Sequence, residues 1–247
     1  MCQSAQTSLV AFVVAALIAL LVITKGKKNG IWNGCFILAF ILIQLLEFFV
    51  WWNRRKEDLT DSAEEAKKLQ SDDPRNKPSG EVLTRLLLIA LWLQPLVQTF
   101  MAYKYGQPRF KSQLLVLTMA YFVMFIWSIV RATDPKRSFS THPVTENCGE
   151  GHLVWKTRGQ NETEQEALGT FVGSSPAALI YGFGLVFGLL FMRPTKFGIM
   201  LAVLGGIMMV YVAKNYRSGE SSSMWCLYAI FYAFLALIMA YSRESQA

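Results

Sequence analysis

The sequence predicts an all-α polytopic membrane protein, a single bundle of seven transmembrane helices. Of the 247 residues, 53% are hydrophobic and only 17% are charged, whereas about a quarter is usual for a soluble domain. The charged residues are clustered between long apolar segments, which is typical of a multi-pass membrane protein. Seven such segments occur, and each is close to the ~20 residues that a helix needs to cross ~30 Å of hydrocarbon.

The seven apolar segments divide the chain evenly. They cover about residues 6–24, 31–52, 81–103, 113–131, 175–192, 197–213 and 223–241. Helices are the expected spanning form, because a β-barrel would show alternation over about ten residues. The first segment has no basic residue before it and Lys25, Lys27 and Lys28 directly after it, so we interpret it as a retained span and not as a signal peptide. Residues 1–247 are therefore treated as one transmembrane domain.

Two of the connections are long. Residues 54–80 form a charged linker in which residues 59–70 are rich in helix formers, so we expect a short surface helix there. Pro74, Pro78 and Gly80 then break the pattern. Residues 132–174 form the other long connection, which we expect to be an external loop.

The short connections predict the orientation. They contain basic residues and no acid: Lys25, Lys27 and Lys28; Lys104, Arg109 and Lys111; Arg193 and Lys196. Because short cytoplasmic loops are enriched in Lys and Arg, these connections are placed in the cytoplasm, with the N-terminus outside and the C-terminus inside. Asn161 begins an Asn-Glu-Thr glycosylation sequon in the external loop, which this orientation places in the lumen.

Helix 2 contains an acid inside its apolar segment. Gln44, Glu47 and Trp51 are spaced i, i+3, i+7 and share one face. A carboxylate inside the membrane costs roughly 2.5–3.5 kcal/mol on insertion scales, so it requires a partner. Glu47 lies roughly 9 Å inside its helix end and Arg85 lies roughly 7.5 Å inside the next helix. We predict a Glu47–Arg85 ion pair, which would either hold helix 2 against helix 3 or form part of a polar site.

Helix 3 is predicted to be central. Gln94 and Gln98 lie on the side opposite Arg85, and a helix with polar groups on two faces is poorly suited to lipid. Pro95 lies between the two glutamines and is expected to kink the helix. The predicted polar site, at the outer third of the bundle, comprises Gln44, Glu47, Trp51, Arg85, Gln94 and Gln98.

Small residues predict how helices 5 and 6 pack. Gly184 and Gly188 are four residues apart, as are Ala202 and Gly206. This spacing lets two helix backbones approach closely, so we expect helices 5 and 6 to pack against each other. In helix 7, Tyr232 is interpreted as a packing residue.

The external loop contains a second dense cluster, with Cys148, His152 and Trp155 close together. Zinc binding is not favoured, because no Cys-x-x-Cys pair completes a site; no metal and no other cofactor are expected. A disulfide is favoured, since Cys2, Cys148 and Cys226 all fall on the outer side. The sequence leaves the pairing open.

The motifs of common membrane enzymes are absent. Both histidines lie in one loop, the seventh segment has no lysine for a retinal Schiff base, and no G-x-S-x-G, H-E-x-x-H or P-loop pattern occurs. These absences argue against an enzyme without excluding one. The net charge of +7 is explained by membrane orientation, so nucleic acid is not an expected partner.

Three motifs occur along about residues 30 to 155. They contain Gln44, Glu47, Trp51 and Asn53, then Gln94 and Pro95, then Cys148, Gly151, His152 and Trp155. As a set, these motifs resemble an uncharacterised family of multi-helix membrane proteins encoded by large DNA viruses of algae and amoebae. The resemblance implies a membrane setting and a viral origin, and it implies no activity.

The expected function is transport or small-ligand binding through the polar site. The alternative is a structural or interaction protein of a viral or host membrane, in which Glu47–Arg85 serves as a folding staple. A seven-helix receptor is a third reading, based on topology alone. Expected partners are the lipid bilayer of the host secretory pathway or the virion, an unknown small ligand or ion, and a second copy in a homo-oligomer.

Overall fold

The computed structural model describes residues 5–53, 78–135, 137–145, 151–159, 176–192, 195–215 and 221–241. These residues form seven α-helices, and each of the seven predicted segments coincides with one of them, so the helical class is confirmed. The helices are α1 (Ala5–Lys25), α2 (Lys27–Asn53), α3 (Pro78–Tyr105), α4 (Lys111–Thr133), α5 (Pro176–Phe187), α6 (Thr195–Asn215) and α7 (Ser221–Tyr241).

Four helical stretches are long and apolar enough to cross a membrane. They are Gln6–Lys25, Lys27–Val50, Glu81–Tyr105 and Pro108–Thr133. Within the described residues, α5, α6 and α7 contribute shorter apolar stretches, Leu179–Phe191, Thr195–Ile207 and Ala229–Tyr241. Large apolar side chains such as Val116, Val130 and Ile238 are exposed on the outside of the bundle, which suits a lipid-facing surface.

The helix boundaries follow local chemistry. α3 begins at Pro78, inside the segment predicted to be linker, because proline is favoured in the first turn of a helix. The remainder of that linker, residues 54–77, lies outside the described residues. α5 passes into a 3₁₀ turn, Gly188–Phe191, and a second 3₁₀ turn, Pro108–Phe110, precedes α4.

The connection between α4 and α5 contains a feature that the sequence analysis did not predict. Arg137–Thr145 (β1) and Gly151–Gly159 (β2) form a two-stranded antiparallel sheet, in which His142 lies opposite Val154. Residues 132–174 were predicted as a loop, and that prediction was incomplete. The Phe, Thr, Val and Trp residues of these segments favour extended structure.

α1 and α2 form a close helical hairpin. Only Gly26 separates them, and Lys27 adopts a left-handed backbone conformation with φ 46°. Gly26, Gly30 and Gly34 recur every four residues, so the two backbones can lie nearly in contact. A Cβ atom at Gly30 would lie 2.2 Å from the carbonyl oxygen of Val22.

α3 is the central helix, as predicted. It packs against α2, α4, α5 and β1. The core includes fully buried Trp32, Trp92 and Tyr232, so the centre of the bundle has large aromatic side chains next to the polar groups described below.

Candidate functional site

The interface between α2 and α3 contains two hydrogen bonds that fix how the helices lie against each other. The indole Nε1 of Trp32 donates to Oε1 of Gln98 over 3.1 Å. The amide Nε2 of Gln94 donates to the carbonyl oxygen of Phe40 over 3.4 Å. Because the helices run in opposite directions, an advance along α2 corresponds to a step back along α3. The two contacts place residue 32 of α2 level with residue 98 of α3, and residue 40 level with residue 94. If both helices rise equally per residue, Glu47 of α2 lies level with about residues 83–87 of α3.

Buried polar residues lie on both of these helices. Gln44 and Glu47 lie on α2 with exposures of 2% and 0%, and Thr84, Gln94 and Gln98 on α3 are all 0% exposed. We call these five residues the polar line. Buried amides and carboxylates must be hydrogen-bonded or hydrated, because burial without a partner costs roughly 1–3 kcal/mol for a neutral polar group and more for a charged one.

Thr84 belongs to the polar line but was not predicted from the sequence. It precedes Gln98 by 14 residues, which is two heptads, so both lie on the α3 face that meets α2. Its level also matches that of Glu47. The sequence signal that could have identified Thr84 is a hydroxyl group within an apolar helix. Threonine is common in such helices, however, so its presence alone does not indicate a polar site.

Arg85 lies on a different face of α3. It shares that face with Trp92, whose ring makes an edge-to-face contact with Trp127 of α4 at 6.2 Å. The Arg85 guanidinium donates to the carbonyl oxygens of Ala132 and Asp134, the latter over 3.2 Å. A cation near a helix C-terminus stabilises the helix dipole, so Arg85 caps α4.

The described ion pair of Arg85 is with Glu81, one turn earlier in α3, at 2.5 Å. The Glu81 side chain is 42% exposed, and surface pairs of this kind contribute only about 0–1 kcal/mol. The contacts described for Arg85 therefore lead to α3 itself and to the end of α4. Glu47 and Arg85 lie at the same level along the bundle, which agrees with the predicted ion pair. Arg85, however, lies on the face of α3 that contacts α4. The Glu47–Arg85 pair therefore stays a prediction.

Gln94 connects the polar line to α5. Its Oε1 accepts a hydrogen bond from the hydroxyl of Tyr181, whose ring also contacts Trp92 edge-to-face at 6.1 Å. Tyr121 of α4 donates to the carbonyl oxygen of Ile180 over 2.6 Å. Gln94 therefore joins α3 to both α2 and α5, and Tyr121 joins α4 to α5.

A similar side-chain hydrogen bond joins α2 to α7. Tyr232 donates from its hydroxyl to Oδ1 of Asn33 over 2.6 Å, and its ring packs edge-to-face on Phe36. Tyr232 was predicted from the sequence to be a packing residue only, and neither Asn33 nor Trp32 was predicted to take part in a polar contact. Adjacent Trp and Asn residues inside a predicted span are the signal that could have identified them.

The side-chain amide of Gln98 is only partly hydrogen-bonded. Its Oε1 accepts the Trp32 bond, but its Nε2 donates to no acceptor in the described part of the chain, although the side chain is 0% exposed. The neighbouring backbone is close, since a Cβ atom at Gly188 would lie 3.2 Å from Cγ of Gln98. An amide with two N–H donors in this position can hold a water molecule or a ligand oxygen.

The small residues of α5 do not pack as predicted. A Cβ atom at Gly184 would lie 2.4 Å from Cζ of Tyr121 in α4, and Gly188 faces α3. The predicted contact between α5 and α6 is confirmed. The 3₁₀ turn after α5 also packs on α6, where a Cβ atom at Gly198 would lie 2.1 Å from the carbonyl oxygen of Leu189. Gly206 has open space around it. The prediction that Gly184 and Gly188 face α6 is therefore wrong.

Several predicted residues are described only in part or not at all. Trp51 lies in α2, His152 and Trp155 lie in β2 opposite Val144 and Thr141, and Cys226 lies in α7; for these residues only the backbone is described. Cys2, Cys148 and Asn161 lie outside the described residues. The disulfide and glycosylation predictions stay predictions. No group of His, Cys, Asp or Glu that could hold a metal ion occurs in the described ranges.

Comparison with known proteins gives no match: no protein-family model fits the sequence, and no curated protein is significantly similar to it. The resemblance to viral membrane proteins therefore stays a prediction.

Proposed function

We propose that this chain is a multi-pass membrane protein that binds or conducts a small polar ligand or ion along the polar line between α2 and α3. The observation that carries the proposal is the placement of a carboxylate and three amides, at most 2% exposed, inside helices apolar enough to cross a membrane. Ionisable and amide side chains at membrane depth mark ligand sites and ion paths in membrane proteins.

The unused hydrogen-bonding capacity of Gln98 supports a hydrated path. An interface built only to pack would place an apolar residue here, since an amide with idle donors costs roughly 1–3 kcal/mol. Further buried polar side chains lie towards the opposite end of α2 and α3, at Gln44, Glu47 and Thr84. Water or a ligand oxygen would complete the hydrogen bonds of Gln98, so we expect this position to be accessible to small polar reagents.

Cysteine accessibility tests the hydration of the polar line. In a background with the four native cysteines replaced, we expect Gln98→Cys to react in the membrane with a small, water-soluble methanethiosulfonate. The matched control is Ala236→Cys, which is also 0% exposed but lies in the apolar core of α7, and we expect it to stay unmodified. The modified fraction is measured by mass spectrometry. Equal resistance at the two positions would show that the polar line is dry and would contradict the proposal.

The seven spans and their orientation form part of the proposal. Four helical stretches have the length and composition of spans, and the shorter apolar stretches of α5, α6 and α7 pack alongside them. The exposed Lys and Arg residues of the α1–α2, α3–α4 and α5–α6 connections support an N-terminus outside and a C-terminus inside.

Glycosylation of Asn161 tests this orientation. Expressed in a glycosylating host, the wild-type chain is expected to show a gel mobility shift that a glycosidase removes and that Asn161→Gln abolishes, because oligosaccharide transfer occurs only in the lumen. A reporter inserted in the same connection that is modified by a cytoplasmic enzyme would reverse the assignment.

A structural role is the second candidate, and a specific observation favours it. Three buried side-chain pairs, Trp32–Gln98, Tyr181–Gln94 and Tyr232–Asn33, join different helices. Hydrogen bonds of this kind stabilise membrane helix contacts by about 0.6 kcal/mol on average. If the role is structural, these polar groups hold the bundle together. Replacing them would then lower the stability of the protein, and the protein would conduct no ligand or ion.

A further inference from the structure

The connection between α3 and α4 is attached to the connection between α5 and α6. The backbone N–H of Gln107 donates to the carbonyl oxygen of Phe191 over 3.2 Å, and its side-chain Nε2 donates to Oγ1 of Thr195 over 3.4 Å. Gln107 is only 9% exposed, and Phe110 packs edge-to-face on Phe191 with ring centroids 5.0 Å apart. One end of the bundle therefore presents the two connections as a single surface.

Four exposed basic residues lie on this surface: Lys104, Arg109, Lys111 and Lys196. We call them the basic cluster. Nε of Arg109 donates to Oε1 of Gln107 over 3.1 Å, so the amide of Gln107 lies between Arg109 and Thr195, the residue next to Lys196. Cations from both connections are thus brought together by one buried glutamine.

Each cation of the cluster lies over an aromatic ring. Lys104 lies over Phe100 at 5.9 Å, Arg109 over Phe110 at 4.6 Å, Lys111 over Tyr103 at 5.5 Å and Lys196 over Phe197 at 5.6 Å. Aromatic rings with Lys and Arg beside them are typical of the headgroup level of a membrane. The position fits, because the cluster lies where the apolar stretches Glu81–Tyr105 and Pro108–Thr133 meet.

The acids whose side chains the structure describes lie away from the basic cluster. Among the residues whose side chains the structure describes, the acids are Glu47, Glu81 and Asp134, and all three lie towards the opposite end of α3. Lys25, Lys27 and Lys28 add three more exposed cations at the end that holds the cluster. The described part of this surface therefore concentrates positive charge, which attracts phosphate groups.

We propose that the basic cluster binds the phosphate of an anionic phospholipid headgroup. Arg109 offers planar N–H donors to phosphate oxygens, and Lys111 and Lys196 add charge from the two adjoining helices. A lipid is favoured over a soluble anion because the rings beside the cations can contact the first carbons of the acyl chains while the phosphate meets the cations. This surface is independent of the polar line.

Lipid titration tests the site. The full chain in neutral detergent is titrated with phosphatidylserine, phosphatidylinositol 4-phosphate or phosphatidylcholine, and bound lipid is measured by native mass spectrometry. We expect the two anionic lipids to bind and phosphatidylcholine not to bind. Removing three charges in Arg109→Gln/Lys111→Gln/Lys196→Gln should weaken anionic binding on the order of a hundredfold, since each cation contributes about 1 kcal/mol near such a surface.

The matched control removes three other cations from the same end. Lys25→Gln/Lys27→Gln/Lys28→Gln changes the net charge equally, so a similar loss in both triple variants would show attraction by bulk charge and would overturn the site. Tight binding of inorganic phosphate alone would overturn the assignment to lipid. If the first triple variant does not fold, Lys196→Gln alone is expected to weaken binding about fivefold, and unchanged binding would refute the proposal.

Discussion

Gly30→Ala is expected to destabilise the folded chain by about 1–3 kcal/mol, the usual cost of overpacking a close contact. The added Cβ would lie 2.2 Å from the carbonyl oxygen of Val22 and 3.2 Å from its carbonyl carbon. These are backbone atoms of α1, so no side-chain rotation relieves the contact, and the two helices must move apart. The higher helix propensity of alanine, about 1 kcal/mol, opposes the loss only in part.

Gly206→Ala is the matched control. It makes the same chemical change within α6, but its Cβ would meet nothing within 4 Å, so we expect unchanged or slightly raised stability. Thermal unfolding of both variants in one detergent measures the difference. Equal stability of the two variants would mean that α1 and α2 do not pack as closely as described.

The helices could be predicted from the sequence because a bilayer imposes a simple requirement of length and apolarity. Each predicted segment lies within or beside one observed helix. The β-hairpin between α4 and α5 was missed, because short strands of nine residues in a polar connection produce no comparable hydropathy signal. The tight α1–α2 hairpin could have been predicted, since Gly26, Gly30 and Gly34 follow the same four-residue spacing that was noted in helices 5 and 6.

The types of residue in the polar line could also be predicted, because polar groups stand out in apolar segments. Gln44, Glu47, Gln94 and Gln98 were selected, and all four are buried. Their contacts were harder to predict. A helix turns by 100° per residue, so Thr84 and Arg85 are adjacent in sequence but point to different neighbouring helices. The sequence gives the depth of each residue, while the rotation of α3 decides which residue meets α2.

Partners on distant helices could not be predicted for the same reason. The Trp32–Gln98 bond joins residues 66 positions apart, and the Tyr232–Asn33 bond joins residues 199 positions apart. No local pattern connects these residues. Packing likewise overrode the spacing rule for Gly184, which accommodates the ring of Tyr121 and not a backbone of α6.

Glu47→Gln is expected to abolish conduction through the polar line. Glutamine keeps the size of the side chain and its hydrogen-bonding ability, but it has no charge and cannot exchange a proton. A carboxylate at membrane depth is the group that attracts a cation or relays a proton, so its loss removes the chemistry while the fold is kept. The matched control is Glu81→Gln, the same change at a side chain that is 42% exposed.

Flux in proteoliposomes is the most direct test of the polar line. The wild-type chain, Glu47→Gln and Glu81→Gln are reconstituted at equal density and assayed for proton, sodium and potassium flux with internal dyes, and for urea and glycerol entry by osmotic swelling. We expect flux of at least one probe with wild type and Glu81→Gln, and only the flux of protein-free liposomes with Glu47→Gln. No flux of any probe with the wild-type chain, or equal flux with Glu47→Gln, would contradict the proposed role of the polar line.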